Sequence, residues 1–160
     1  MRRRNSVGAP RRRRVLKPSV LLDTNILVSG LVFRRGKEHE LLRLVEDGVL
    51  LLVLPDYVVA EAKRVLAAKF LGYEGLLDIF LERVGYRVVA WEETRPLVSA
   101  ALLKVRDVKD AVVLASVLAV DPDYFVTGDR ELREDAAACL GADRSLTSSQ
   151  LLKRLRQSVG

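Results

Sequence analysis

The chain has 160 residues, 49% of them hydrophobic and only five of them Pro, which suits one globular domain with a real core and argues against wholesale disorder. No apolar stretch approaches the roughly 20 residues that cross a bilayer, so no membrane association is expected, and the basic start Met1-Arg2-Arg3-Arg4-Asn5 lacks the apolar segment of a secretory signal. The formal charge of +6 is uneven: residues 1–17 hold eight Lys and Arg and no acid, leaving 19 basic against 21 acidic residues elsewhere.

Residues 1–17 therefore read as a basic, flexible arm, able to add salt-dependent phosphate contacts or simply to stay solvated. Folding is expected to begin near Pro18. Val20 to Leu22 is apolar on both faces, as a central parallel strand covered by helices requires, and it ends abruptly on Asp23-Thr24-Asn25. A short helix to about Phe33 and a second from Glu38 to Asp47, stopped by Gly48, precede a strand at Val49 to Leu54. Pro55 suits the first turn of the next helix, whose apolar stripe is Val58, Val59, Ala62, Val65 and Leu66. Glu61 lies on the border of that stripe, three residues after Val58 and four before Val65, so its carboxylate faces the domain.

Beyond Gly72 the pattern predicts a helix over Tyr73 to Arg83, a strand over Tyr86 to Trp91 and a helix over Thr94 to Lys104. Asp110 then opens a helix to Val120 that is apolar nearly all round and must be buried. Tyr124 to Thr127 is a fourth strand ending in Gly128-Asp129, the same arrangement as at Asp23. One more helix, a short edge strand within Gly141 to Leu146 and a basic helix from Ser148 to about Gln157 complete the chain. His39 reads as a surface residue, and lone Cys139 as packing, with no internal disulfide and a reducing cytoplasm as the expected compartment. Lys104 and Arg106 read as solvated surface.

This alternation predicts an α/β fold, a three-layer α/β/α sandwich on a mostly parallel sheet of four to five strands with right-handed crossovers. All strand C-termini then share one edge, where open sheets of this kind bind ligands. Asp23 and Asp129 follow two strand ends, Asp110 opens a helix and Glu61 faces inward. Each acid has a purely structural alternative: Asp23 as a helix cap, Asp110 as a partner of a helix dipole, Glu61 as a partner of Arg64, Asp129 as a turn residue. Together they fit one crevice better. Converging carboxylates repel unless a cation neutralises them, and oxygen-only ligands select Mg²⁺ or Mn²⁺. Such an ion activates water and balances the charge of a phosphodiester. Thr24, Asn25 and Thr127 are expected to orient these acids or cap helices.

With these pieces in place, the sequence resembles the PIN-domain family, in its branch of VapC-like toxins of toxin–antitoxin pairs. The likeness runs from about Pro18 to Gln150, leaving 151–160 as a basic helix end and tail. It rests on the strand ending in Asp23-Thr24-Asn25, on Val59-Ala60-Glu61, on Arg106-Asp107-Val108-Lys109-Asp110 and on the strand Tyr124 to Asp129. The resemblance implies metal ligation by Asp23, Asp110 and Asp129, with Glu61 as a ligand or outer acid, and metal-dependent endoribonuclease action on single-stranded RNA. It also implies an antitoxin partner and a homodimer. Relatives often carry Pro where Val108 stands, so Asp107 is an alternative ligand to Asp110, which is preferred because it shares the face of Val113 and Val117. Two other readings compete: a PIN-like domain that binds RNA or protein without cutting, and a phosphatase-like domain using Asp23 as phospho-acceptor, which Asn25 disfavours by removing the second acid of an Asp-x-Asp pair.

Overall fold

Val20, Leu21 and Leu22 are all wholly buried, because the strand they form is covered on both faces. The computed structural model describes residues 17–159, so the expectation of a flexible arm over residues 1–17 falls almost wholly outside the described residues. Five strands, β1 (Ser19–Leu22), β2 (Leu51–Pro55), β3 (Arg87–Val89), β4 (Tyr124–Val126) and β5 (Ser145–Leu146), form one sheet in the order β3-β2-β1-β4-β5. Every pair is parallel, with Val20 opposite Leu52 on one side and Tyr124 on the other. The anticipated α/β/α sandwich is therefore present, with its sheet wholly parallel.

Alternation along the strands divides the core in two. Val20, Leu22, Leu52, Leu54, Val126 and Leu146 face one layer, formed by α1 (Thr24–Val32), α2 (Lys37–Glu46), α3 (Asp56–Lys69), α4 (Glu74–Val84) and α9 (Ser148–Ser158). Leu21 and Phe125 face the other, where α5 (Trp91–Thr94), α6 (Val98–Leu102), α7 (Ala111–Val120) and α8 (Arg130–Leu140) lie. Truncating a fully buried leucine such as Leu21 to Ala in a core of this kind costs about 2–5 kcal/mol.

Several boundaries moved for local reasons. Pro55 does not open α3; it closes β2 opposite Val89 and is the residue before the helix, where its missing N–H costs nothing. The helix expected over Thr94 to Lys104 starts earlier, at Trp91, and is broken into α5, a 3-10 turn at Arg95–Leu97 and α6, because Pro96 cannot donate within it. A 3-10 turn at Val108–Asp110 places Asp110 just before α7. The sequence limit set at Gln150 falls inside α9, whose Leu151 and Leu152 are buried in the first core layer. Thr147 and Gln150 cap that helix reciprocally, Gln150 N–H donating to Thr147 Oγ1 at 3.2 Å and Thr147 N–H to Gln150 Oε1 at 2.9 Å. His39 is not a free surface residue. It is partly buried, and its Nδ1–H donates to Gly30 O at 2.8 Å. No helix of the described residues is long and apolar enough to cross a membrane.

Candidate active site

In the order β3-β2-β1-β4-β5 the chain builds outward from β1 in one direction and then returns to add β4 on the other side. The two helices that leave β1 and β4 consequently diverge to opposite faces, and a crevice opens beyond the strand ends between them. Asp23 follows β1 directly, and its N–H donates to Val126 O of β4 at 3.0 Å. Asp129 follows β4 after Thr127-Gly128. A cavity of about 650 Å³ occupies this place, and Asp23, Glu61, Asp110 and Asp129 all line it.

Threonines fix the acids in place. Thr127, wholly buried, donates its hydroxyl to Asp23 Oδ2 at 2.8 Å and accepts the Asp129 N–H at 3.1 Å, so one side chain ties both strand ends together. Thr24, 3% exposed, donates to Glu61 Oε2 at 2.9 Å and thereby joins α1 to α3. Arg64 is not the partner of Glu61 that i,i+3 spacing suggested. Asp23 Oδ1 accepts the Thr24 N–H at 2.8 Å and Asp129 Oδ1 accepts the Leu132 N–H at 3.0 Å, each capping the helix it precedes.

Other residues are placed differently from expectation. Asn25 is exposed at the cavity and orients none of the acids; that role falls to the two buried threonines. Asp107 is exposed, caps the 3-10 turn by accepting the Lys109 N–H at 3.0 Å, and is not among the cavity's lining residues. Arg106 is not free surface either. Its guanidinium meets Asp135 at 3.2 Å and Glu134 at 2.8 Å, and its N–H donates to Asp135 Oδ2, which fastens the segment before Asp110 to α8.

The acids strain against one another. Burial is the main reason the Asp23 carboxyl is pushed up, opposed by its hydrogen bonds from Thr127 and Thr24 and reinforced by the charges of Glu61 and Asp129. Asp110 is pushed up to about 6, first by burial and then by Asp129, Asp107, Asp23 and Asp135. Burial and neighbouring like charge both disfavour the ionised form, which raises these two carboxyls. Among the described residues no three His, Cys, Asp or Glu side chains stand close enough to enclose an ion by themselves. An all-oxygen acidic set suits Mg²⁺ all the same, because that ion is commonly held by one or two carboxylates and keeps several waters.

Tyr57, Trp91 and Lys109 also line the cavity; sequence reasoning assigned a role to none of them, although Lys109 falls within the Arg106 to Asp110 motif. Burial pushes the Tyr57 hydroxyl up; it has no hydrogen-bond partner among the described residues, and the neighbouring Ser116 donates to Val113 O at 2.7 Å. Tyr57 follows the strand-ending Pro55 by two residues, which in hindsight places it at the same sheet edge as Asp23.

The PIN-domain family model matches residues 19–131. The chain belongs to the PIN-domain family. PIN domains are in general nucleases, and the acids beyond β1, before α7 and beyond β4 all lie within the matched part of this PIN domain. Among solved structures it is similar to a chain in the crystal structure of VapBC2 from Rickettsia felis bound to a DNA fragment from their promoter, at 17% identity and a TM-score of 0.58, covering 72% of this chain and 92% of that one. At that identity the likeness concerns the fold. No curated protein matches the chain.

Proposed function

We propose that this PIN domain is a metal-dependent endoribonuclease that hydrolyses phosphodiester bonds of single-stranded RNA, the toxin of a toxin–antitoxin pair. The observation that carries the reading is the meeting of Asp23, Glu61, Asp110 and Asp129 in one cavity at the point where the strand order reverses. Asp23 and Asp129, with Asp110, are the residues that would hold Mg²⁺ or Mn²⁺, Glu61 standing as a further or outer acid. Bound there, the ion would lower the pKa of a water and offset phosphodiester charge. The chain's own contribution is positional. Thr127 donates to Asp23 and Thr24 to Glu61, which holds those two carboxylates at the cavity, and Asp110 adds a third acid from the start of α7.

Cleavage of labelled single-stranded RNA by wild type and by Asp23→Asn, each with Mg²⁺ and with EDTA, tests this. Cutting is expected only from wild type with Mg²⁺; equal cutting by the variant would overthrow the assigned site. The likeness to VapBC2 supports an antitoxin as the partner, and a cytoplasmic homodimer is part of the same proposal.

The open spacing of the acids favours one alternative, a domain that binds RNA or protein without cutting it. Calorimetry with Mn²⁺ separates the two: saturable binding lost in Asp23→Asn supports the nuclease, and RNA binding without any metal binding supports the alternative.

A further inference from the structure

We propose that Trp91 is the platform on which a base of the single-stranded substrate stacks, with Lys109 taking an adjoining phosphate; this rests on the nuclease reading of the acid cavity. Trp91 is the chain's one tryptophan, remains 41% exposed, and lines the cavity together with the four acids.

Its backbone is pinned from both sides. Asp56 Oδ2 accepts the Trp91 N–H at 3.0 Å while Oδ1 of the same carboxylate accepts the Tyr57 N–H at 2.7 Å, so one acid positions both aromatic residues of the cavity. On the other side Glu93 accepts the Ala90 backbone N–H at 3.0 Å and a guanidinium N–H of Arg87 at 3.2 Å, which holds the start of α5. The indole is thus presented from fixed backbone. Electrostatics then decides what it is for. A cavity lined by four carboxylates repels a polyanion, and Lys109, which joins no ion pair among the described residues, is the one cation along its wall. Within the cavity, affinity for nucleic acid therefore needs uncharged contact as well. Every base offers a π-face, and stacking on an aromatic side chain supplies such affinity without demanding a sequence.

The lone tryptophan makes its own test. Titrating full-length Asp23→Asn with a mixed-sequence single-stranded RNA octamer in Mg²⁺ should quench its emission saturably, while a ribose-phosphate chain of equal length without bases should leave it unchanged. In the cutting protein Trp91→Ala should raise KM about tenfold or more with kcat little altered, and Trp91→Phe should restore most of the affinity. Lys109→Ala should weaken binding and flatten its salt dependence. Unchanged emission on adding RNA, equal quenching by the base-free chain, or an unchanged KM in a Trp91→Ala protein of normal thermal stability would each overturn the inference. Loss of the nuclease reading looks different: wild type would fail to cut, whatever the emission of Trp91 does.

Discussion

Replacing Asp110 by Asn should make the metal-free protein more stable while abolishing its cleavage. The folded chain holds the Asp110 carboxyl at about 6 against an ordinary 3.8. Between those values the native state keeps a proton that the unfolded chain has released, so stability declines as pH rises through this window, and above it the full cost persists. A displacement of that size corresponds to about 3 kcal/mol if undamped. Asp110 is only half-buried, and solvent screening leaves about 1 kcal/mol. For a domain of this length that is a rise in Tm of about 2–4 °C. Thermal melts in EDTA at pH 8 should show that gain for Asp110→Asn, and at pH 4.5 it should shrink, because wild type is by then partly protonated in the fold. Adding Mg²⁺ at pH 8 should stabilise wild type more than the variant. A variant melting at or below wild type at pH 8 in EDTA would refute the claim that burial and neighbouring negative charge raise the Asp110 carboxyl.

Thr127→Val keeps the volume but strands Asp23 Oδ2 and the Asp129 N–H; urea denaturation should show a loss of about 1–3 kcal/mol, and RNA cleavage should fall with it. Asp135→Ala removes the carboxylate that holds the Arg106 N–H and guanidinium, so proteolysis should become easier between Leu103 and Asp110 and kcat should drop. Gly30→Ala would bring a Cβ within 2.6 Å of Leu42 Cδ1 and 3.0 Å of Glu38 O, forcing α1 from α2; a loss of about 1–3 kcal/mol in chemical denaturation is expected. Its RNA cleavage per folded molecule should stay at the wild-type level.

The sheet was legible because its strands are short apolar runs that end on polar or turn residues, and burial on both faces leaves no other reading of Val20-Leu21-Leu22 or Phe125-Val126. Asp23, Asp129 and Glu61 were legible as members of one crevice because strand ends and a helical period fix direction as well as type. Asp56, Tyr57 and Trp91 were not. Their meeting depends on β2 and β3 being neighbours in the sheet, with Pro55 opposite Val89, and nothing local in either segment encodes that pairing. Arg106 was misread for a related reason: its partners, Glu134 and Asp135, stand 28 and 29 residues away on α8. Asn25 was overvalued: helical geometry turns it by about 100° from buried Thr24, so it lines the cavity from an exposed position without bonding to Glu61 as Thr24 does.

Helix capping and metal binding looked like rival explanations for Asp23 and Asp129, but the geometry makes one the condition of the other. A carboxylate has about four lone-pair sites. Asp23 uses one on each oxygen, for the Thr24 N–H and the Thr127 hydroxyl, and retains one on each. Asp129 Oδ1 takes the Leu132 N–H, and its other oxygen is left for the cavity. An acid without these bonds would be free to rotate toward solvent and away from its neighbours, since burial and mutual repulsion both disfavour gathering it. The caps therefore hold like charges together in the folded protein before any cation arrives. The same backbone N–H groups that begin α1 and α8 keep the acids at the strand ends, where a phosphodiester held between Trp91 and Lys109 would meet them.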